Sequence, residues 1–230
     1  MSRRHTLRVL ASLGLLLTVA STARAQVCMG YPSFAVGDLR MTGNVAFGSD
    51  TKTIGGSFAF GQATGLFGGP TVDYVSFPAP ADKALVYTGT VGWGIDLADR
   101  GRIALCPLLV GSYQDGPAGQ SLNRRLDITG KSLGAGAAIG GDVPLSPRMH
   151  LVPFASVVLT TSTSTTIIQG LIDIKSTATD RYAAITVGVG VVIDKIWTIR
   201  PSLSIPAGLQ GGTATVGLTL SITPRNDPAP

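Results

Sequence analysis

Few residues of this chain offer chemistry. Apart from His5, His150 is the single histidine, so a site of several imidazoles around a metal cannot be built. One histidine still serves hydrolysis when a serine and an acid stand beside it. His150, however, follows a proline-containing turn at 144–148 and reads as a polar residue at a strand end. The run Gly134-Ala135-Gly136-Ala137-Ala138-Ile139-Gly140 mimics a dinucleotide-binding loop, but its sixth position is Ile139 and no helical pattern follows. The thirteen acids are all aspartates, dispersed along the chain without the spacing of a calcium loop. The reading is of a protein without catalytic residues, cofactor or metal.

The elements that position these residues are β-strands. Val187, Val189, Val191 and Ile193 alternate with Thr186, Gly188 and Gly190. In the same way Val216, Leu218, Leu220 and Ile222 alternate with Thr215, Gly217, Thr219 and Ser221. A period of two sets the apolar residues on one strand face and the small or polar ones on the other. This unit recurs over 38–223 in ten predicted strands: 39–49, 53–62, 66–77, 84–97, 102–113, 129–142, 149–162, 181–194, 197–206 and 213–223. Connections at 98–101, 143–148 and 195–196 are short, whereas 78–83, 114–128 and 163–180 are longer, and the turn near 50–52 breaks the alternation. Ile167, Ile168, Leu171, Ile172 and Ile174 can carry the flanking strands of the last long connection outward as a hairpin. Gly68-Gly69-Pro70 and Pro201 are expected to mark bulges or strand ends.

Residues 1–25 have the form of a secretory signal. Arg3, Arg4 and Arg8 precede an apolar stretch at 9–20, and Ala23-Arg24-Ala25 supplies the cleavage site. The apolar stretch is shorter than the ~20 residues a spanning helix requires. The formal charge of +5 falls to +1 once the four signal arginines are set aside, which argues against a nucleic-acid partner. Only 13% of residues are charged, too few to clothe the outward faces of a secreted β-sandwich, the more distant alternative. The pattern therefore predicts a closed antiparallel transmembrane β-barrel of about ten strands, with eight the nearest alternative. Residues 26–37 would form an N-terminal segment at the periplasmic mouth, and 224–230 a tail. Phe58, Phe60, Tyr74, Tyr87, Trp93, Tyr113, Tyr182 and Trp197 fall mostly toward strand ends, where aromatic girdles meet headgroups.

The last strand, Thr215-Val216-Gly217-Leu218-Thr219-Leu220-Ser221-Ile222, resembles the signal read by barrel-assembly machinery. The aromatic residue that usually ends that signal is absent. The segments at 28–34 and 200–208 resemble small, mostly uncharacterised outer-membrane barrel proteins of Gram-negative bacteria. The resemblance implies residence in the cell outer membrane, contact with its lipid, assembly by that machinery, and no known catalytic residue. Two functions remain open: a structural or surface-interaction barrel whose long connections touch an outside partner, and a narrow passive pore for small solutes. Arg40, Asp73, Asp96, Asp142 and Arg200 are the charges expected to face the lumen. Cys28 and Cys106, the two cysteines of an exported chain, are expected to form a disulfide that draws 26–37 into the mouth, with Tyr31, Pro32 and Phe34 filling space there.

Overall fold

Alternating residues give alternating walls. The computed structural model describes residues 27–31, 39–62, 65–78, 83–97, 103–121, 124–169, 174–209 and 212–224. The signal read at 1–25, Pro32, Phe34 and the tail beyond 224 lie outside the described residues. A short 3-10 turn at Val27–Met29 precedes β1 (Leu39–Phe47), β2 (Lys52–Gly61), β3 (Leu66–Ser76) and β4 (Lys83–Trp93). There follow β5 (Ile95–Asp96), β6 (Ile103–Ser121), β7 (Arg124–Gly141) and β8 (Val143–Pro144). The wall ends with β9 (Met149–Gln169), β10 (Ile174–Ile193), β11 (Trp197–Ala207) and β12 (Thr215–Ile222).

Two of these, β5 and β8, are two-residue extensions paired to β6 and β9. Among the described residues the other ten form the wall, each hydrogen-bonded antiparallel to two neighbours in chain order. The ring closes where β12 returns to β1, in a register running from Met41↔Ile222 to Phe47↔Val216. Ten staves, not eight, complete the barrel. Closure leaves no unpaired edge in the wall, which is the condition for a sheet to stand in lipid.

The side chains sort by face as the period of two requires. Leu133 (68% exposed), Leu159 (66%), Ile54 and Leu109 project outward with Val187, Val216, Leu218 and Leu220. Phe58, Phe60, Tyr74, Tyr87, Trp93, Tyr113 and Trp197 share that outer surface. The inner face holds Thr198, Thr219 and Ser221, all buried, with a cluster of Val27, Cys28, Phe67, Cys106, Leu108, Val152 and Val192 at the short-turn end.

Two expectations need correction. The connection read at 114–128 is strand for most of its length. β6 runs on to Ser121, and a register shift between Asp115 and Ala118 absorbs Gly116 and Pro117, after which pairing resumes at Ala118↔Asp127. Gly and Pro signalled a loop, but a bulge accommodates both without ending the strand. The Ile-rich connection does prolong β9 and β10, which stay paired out to Ile174↔Ile168. These four strands span 18 to 21 residues, against 8 to 11 for the other staves. A tilted stave needs only about 9–11 residues to cross a bilayer. The hairpins β6–β7 and β9–β10 therefore stand well clear of the wall.

The second correction concerns Pro70 and Pro201. Both lie inside strands, opposite Gly89 and Leu218, with no shift of register. On the side where their missing N–H would donate, the ladder skips two residues and then continues in step: from Ser57↔Thr71 to Phe60↔Gly68, and from Gly188↔Ser202 to Val191↔Ile199. Gly69, next to Pro70, lies so close to the Phe58 carbonyl that a side chain there would collide with it.

Candidate functional site

The five charges named above do not form one ring. Arg40 and Arg200 come together; the three aspartates do not join them. Arg40 on β1 and Arg200 on β11 occupy inward positions on the two strands that flank β12. Between them lies Tyr31, with each guanidinium carbon 4.4 Å from its ring centroid. Arg200 also stands 5.2 Å from the ring of Phe154. Arginine over an aromatic face is attractive because the ring's quadrupole is negative there, and more so away from water. Arg40 is 1% exposed.

Hydrogen bonds fix the two arginines. Arg40 Nε donates to Thr223 Oγ1 at 3.0 Å, and Arg200 Nη1 donates to the Met29 carbonyl at 2.7 Å. Arg200 Nη2 reaches Thr219 Oγ1 at 3.5 Å, while its buried Nε meets no partner among the described residues. A cavity of about 140 Å³ opens beside the stack, lined by Thr42, Ser57, Thr71 and Thr90 as well as both arginines. The arrangement binds the N-terminal segment to the wall and leaves a small basic recess.

The aspartates have separate surroundings. Asp73 Oδ1 accepts from Asn44 Nδ2 at 2.9 Å. Asp142 Oδ1 lies 2.8 Å from His150 Nδ1 at the short-turn rim. One buried carboxylate oxygen of Asp96 meets no hydrogen-bond partner among the described residues. His150 is thus a strand-end residue held by an acid. Among the described residues no group of three or more His, Cys, Asp or Glu could hold a metal ion.

Cys28 and Cys106 are joined in a disulfide, with both residues fully buried. The bond ties the 3-10 turn to β6, and the turn packs on β6, β7 and β9 inside the wall. Glycines make room for it. Gly140 lies against the Val27 carbonyl and Gly190 against the Gly30 carbonyl, approaches that a side chain would block. The segment is a stopper fastened by a covalent bond on one side and by two arginines on the other.

Sequence reasoning missed the stack, the Asn44–Asp73 bond and the part played by Phe154. The signal was there in part: two inward arginines near the two ends of the predicted wall. Their adjacency follows only once the seam is known to close.

The chain combines a closed ring of strands, an apolar outer surface and a small polar interior. The architecture is that of an outer-membrane β-barrel. No protein-family model and no curated protein matches the chain. Solved structures show a loose likeness. The N-terminal β-barrel domain of Pseudomonas aeruginosa OprF has 15% identity and a TM-score of 0.38, covering 82% of this chain and 98% of that one. Ail, the attachment invasion locus protein of Yersinia pestis, has 7% identity and a TM-score of 0.41, with 82% and 99% covered. The β-domain of the Bordetella autotransporter BrkA has 11% identity and a TM-score of 0.43, again with 82% and 99% covered. At scores of this size the barrel rests on the chain's own pairing.

Proposed function

We propose that this chain is an integral barrel of the Gram-negative outer membrane, non-catalytic, with a stoppered lumen and a surface-contact role carried by its long hairpins. The observation that carries the reading is the stopper. Residues 27–31 enter the lumen and are held there by the Cys28–Cys106 bond and the Arg40–Tyr31–Arg200 stack, which opposes free passage of solutes. Membrane residence is supported by the outward apolar belt, because so many exposed Leu, Ile, Val and aromatic side chains would aggregate in water.

The hairpins supply a surface for contact. β11 pairs with β10 only as far as Ala183↔Ala207, so Ile174 to Tyr182 carry backbone donors and acceptors on a free edge. Such an edge accepts an added strand. Purified protein in a planar lipid bilayer tests the reading. Silence in the wild type is expected, as is the appearance of conductance steps when Cys28 and Tyr31 are both replaced. Steady steps from the wild type itself would favour the second function, a narrow pore through the Gly- and Thr-lined space beside the stopper.

A further inference from the structure

The outward residues change character abruptly at one end of the barrel. On four of the ten staves, followed toward the long hairpins, a cation stands on the outer face just past the last apolar residues. On β2, Ile54 gives way to Lys52; on β4, Leu85 to Lys83; on β7, Leu133 to Lys131. On β10, Ile185 and Ala183 give way to Arg181. Asp115 on β6 is the one acid on the strands' outer face at this level among the described residues; Asp180 adjoins Arg181 on the other face, and Asp50 lies in the β1–β2 turn. At the opposite end the outer face carries Trp93, Trp197, Met149 and Ile193, and the described cations there, Arg148 and Lys195, sit in turns, Arg148 3.9 Å from Asp194. Among the described residues the two rims differ in how cations are held: on the outer face of strands at one, in turns at the other.

The β7–β9–β10 side shows what these cations are set among. Directly opposite residues form the rows Leu133–Thr161–Arg181, Lys131–Thr163–Thr179 and Thr129–Thr165–Thr177. Thr163 Oγ1 and Thr179 Oγ1 lie 3.2 Å apart, which keeps that face flat and hydroxylated. With strands ~4.8 Å apart and ~6.8 Å for each two-residue step, Lys131 and Arg181 stand roughly 12 Å from each other across this bay. No acid occupies these rows on β7, β9 and β10; the third row continues on β6 to Asp115, opposite Thr129. Beside Arg181, where β11 stops, a recess of about 420 Å³ is lined by Leu159, Thr161, Ala183 and Ala207. It is apolar toward the belt and cationic above. On β4, Lys83 Nζ lies 5.4 Å from the ring centroid of Tyr74, its stem along the girdle and its charge at the rim.

We infer that Lys52, Lys83, Lys131 and Arg181 form a collar that binds the phosphate groups of anionic lipid in the leaflet facing the long hairpins, with the threonine bay donating hydroxyls to the same headgroups. A cation at the top of an apolar belt attracts an anionic headgroup whose acyl chains lie on that belt, so both ends of one molecule are recognised. A soluble anion would gain only the upper half. The inference rests on the membrane reading given above.

The test uses full-length protein in nanodiscs of equal parts phosphatidylglycerol and phosphatidylcholine, with the lipids that stay bound after isolation counted by mass spectrometry. Wild type is expected to enrich phosphatidylglycerol, by about fivefold for each cation engaged, and to lose the enrichment as salt is raised. The fourfold variant K52Q/K83Q/K131Q/R181Q should fall to the bulk ratio, and K195Q at the other rim should match wild type. Should the fourfold variant misfold, the pairs K52Q/K83Q and K131Q/R181Q should each lose part of the enrichment. A folded barrel, recognised by heat-modifiable gel mobility, with no enrichment or with enrichment unchanged in the variants would overturn the collar. Displacement of the bound lipid by millimolar inorganic phosphate would also overturn it, assigning the site to a soluble anion. Failure of the wild type to fold into any bilayer would instead remove the membrane reading, and the collar with it.

Discussion

Tyr31 matters more than its single hydroxyl would suggest, because its ring face is shared by two guanidinium groups. Tyr31→Leu keeps bulk and removes the ring, so it should cost about 2 kcal/mol in urea unfolding of the micelle-bound protein. Tyr31→Phe should be nearly neutral; equal losses in the two variants would show that the hydroxyl, and not the ring face, carries the contact. Cys28→Ser breaks a link spanning a sequence separation of 78 and should destabilise by up to ~4 kcal/mol. Native protein should resist alkylation until reduced, and two thiols that react without reductant would contradict the bond. The wall has its own residue-level test. Leu218→Asp places a carboxylate in lipid, at a cost on the order of 2 kcal/mol. Thr219→Asp points inward beside Arg200 and should be the milder change. Gly188 is inward too, but a side chain there would meet Phe154 at 2.6 Å, so an inward position does not ensure tolerance.

The hairpins β6–β7 and β9–β10 are separable from the wall at the level of elements. Wall pairing of β6 to β4 ends at Leu85↔Asp115; beyond it β6 pairs only with β7, and β7 in turn with β9 out to Arg125↔Gln169, none of which is needed to close the ring. Replacing 116–128 by a short turn should therefore leave a heat-modifiable barrel, whereas a product that never resists detergent would show the hairpin to be needed for closure. Protease added to intact cells should cut within these hairpins; cleavage only after the outer membrane is opened would invert the orientation. The strands themselves were legible because alternation is local. Val187 against Gly188, or Leu218 against Thr219, declares its face without reference to any other strand. The extent of β6 was not legible, because Gly116 and Pro117 speak for a loop and only the resumed pairing at Ala118↔Asp127 overrules them. The same holds for Pro201, whose place in mid-strand depends on what its neighbour β10 does without. Arg40 and Arg200 were readable as inward charges, but their meeting on Tyr31 is a property of the closed ring.

For the whole molecule, wall and stopper are one covalent object. The turn at Val27–Met29 precedes β1, lies inside the ring and is bonded to β6, while the ring is shut by β12 against β1. Both sulfur-bearing residues have no exposed surface, so an oxidant of protein size cannot reach them through a finished wall. The order of construction follows. The thiols must meet while the sheet is still an open ribbon, and the β1–β12 seam must shut afterward around a segment already in place. Pulse-labelled cells should therefore contain the oxidised chain before the heat-resistant form appears, and a strain unable to make periplasmic disulfides should accumulate barrels with an empty mouth or none. The seam is expected to shut last, leaving the oldest bond of the finished protein hidden behind it.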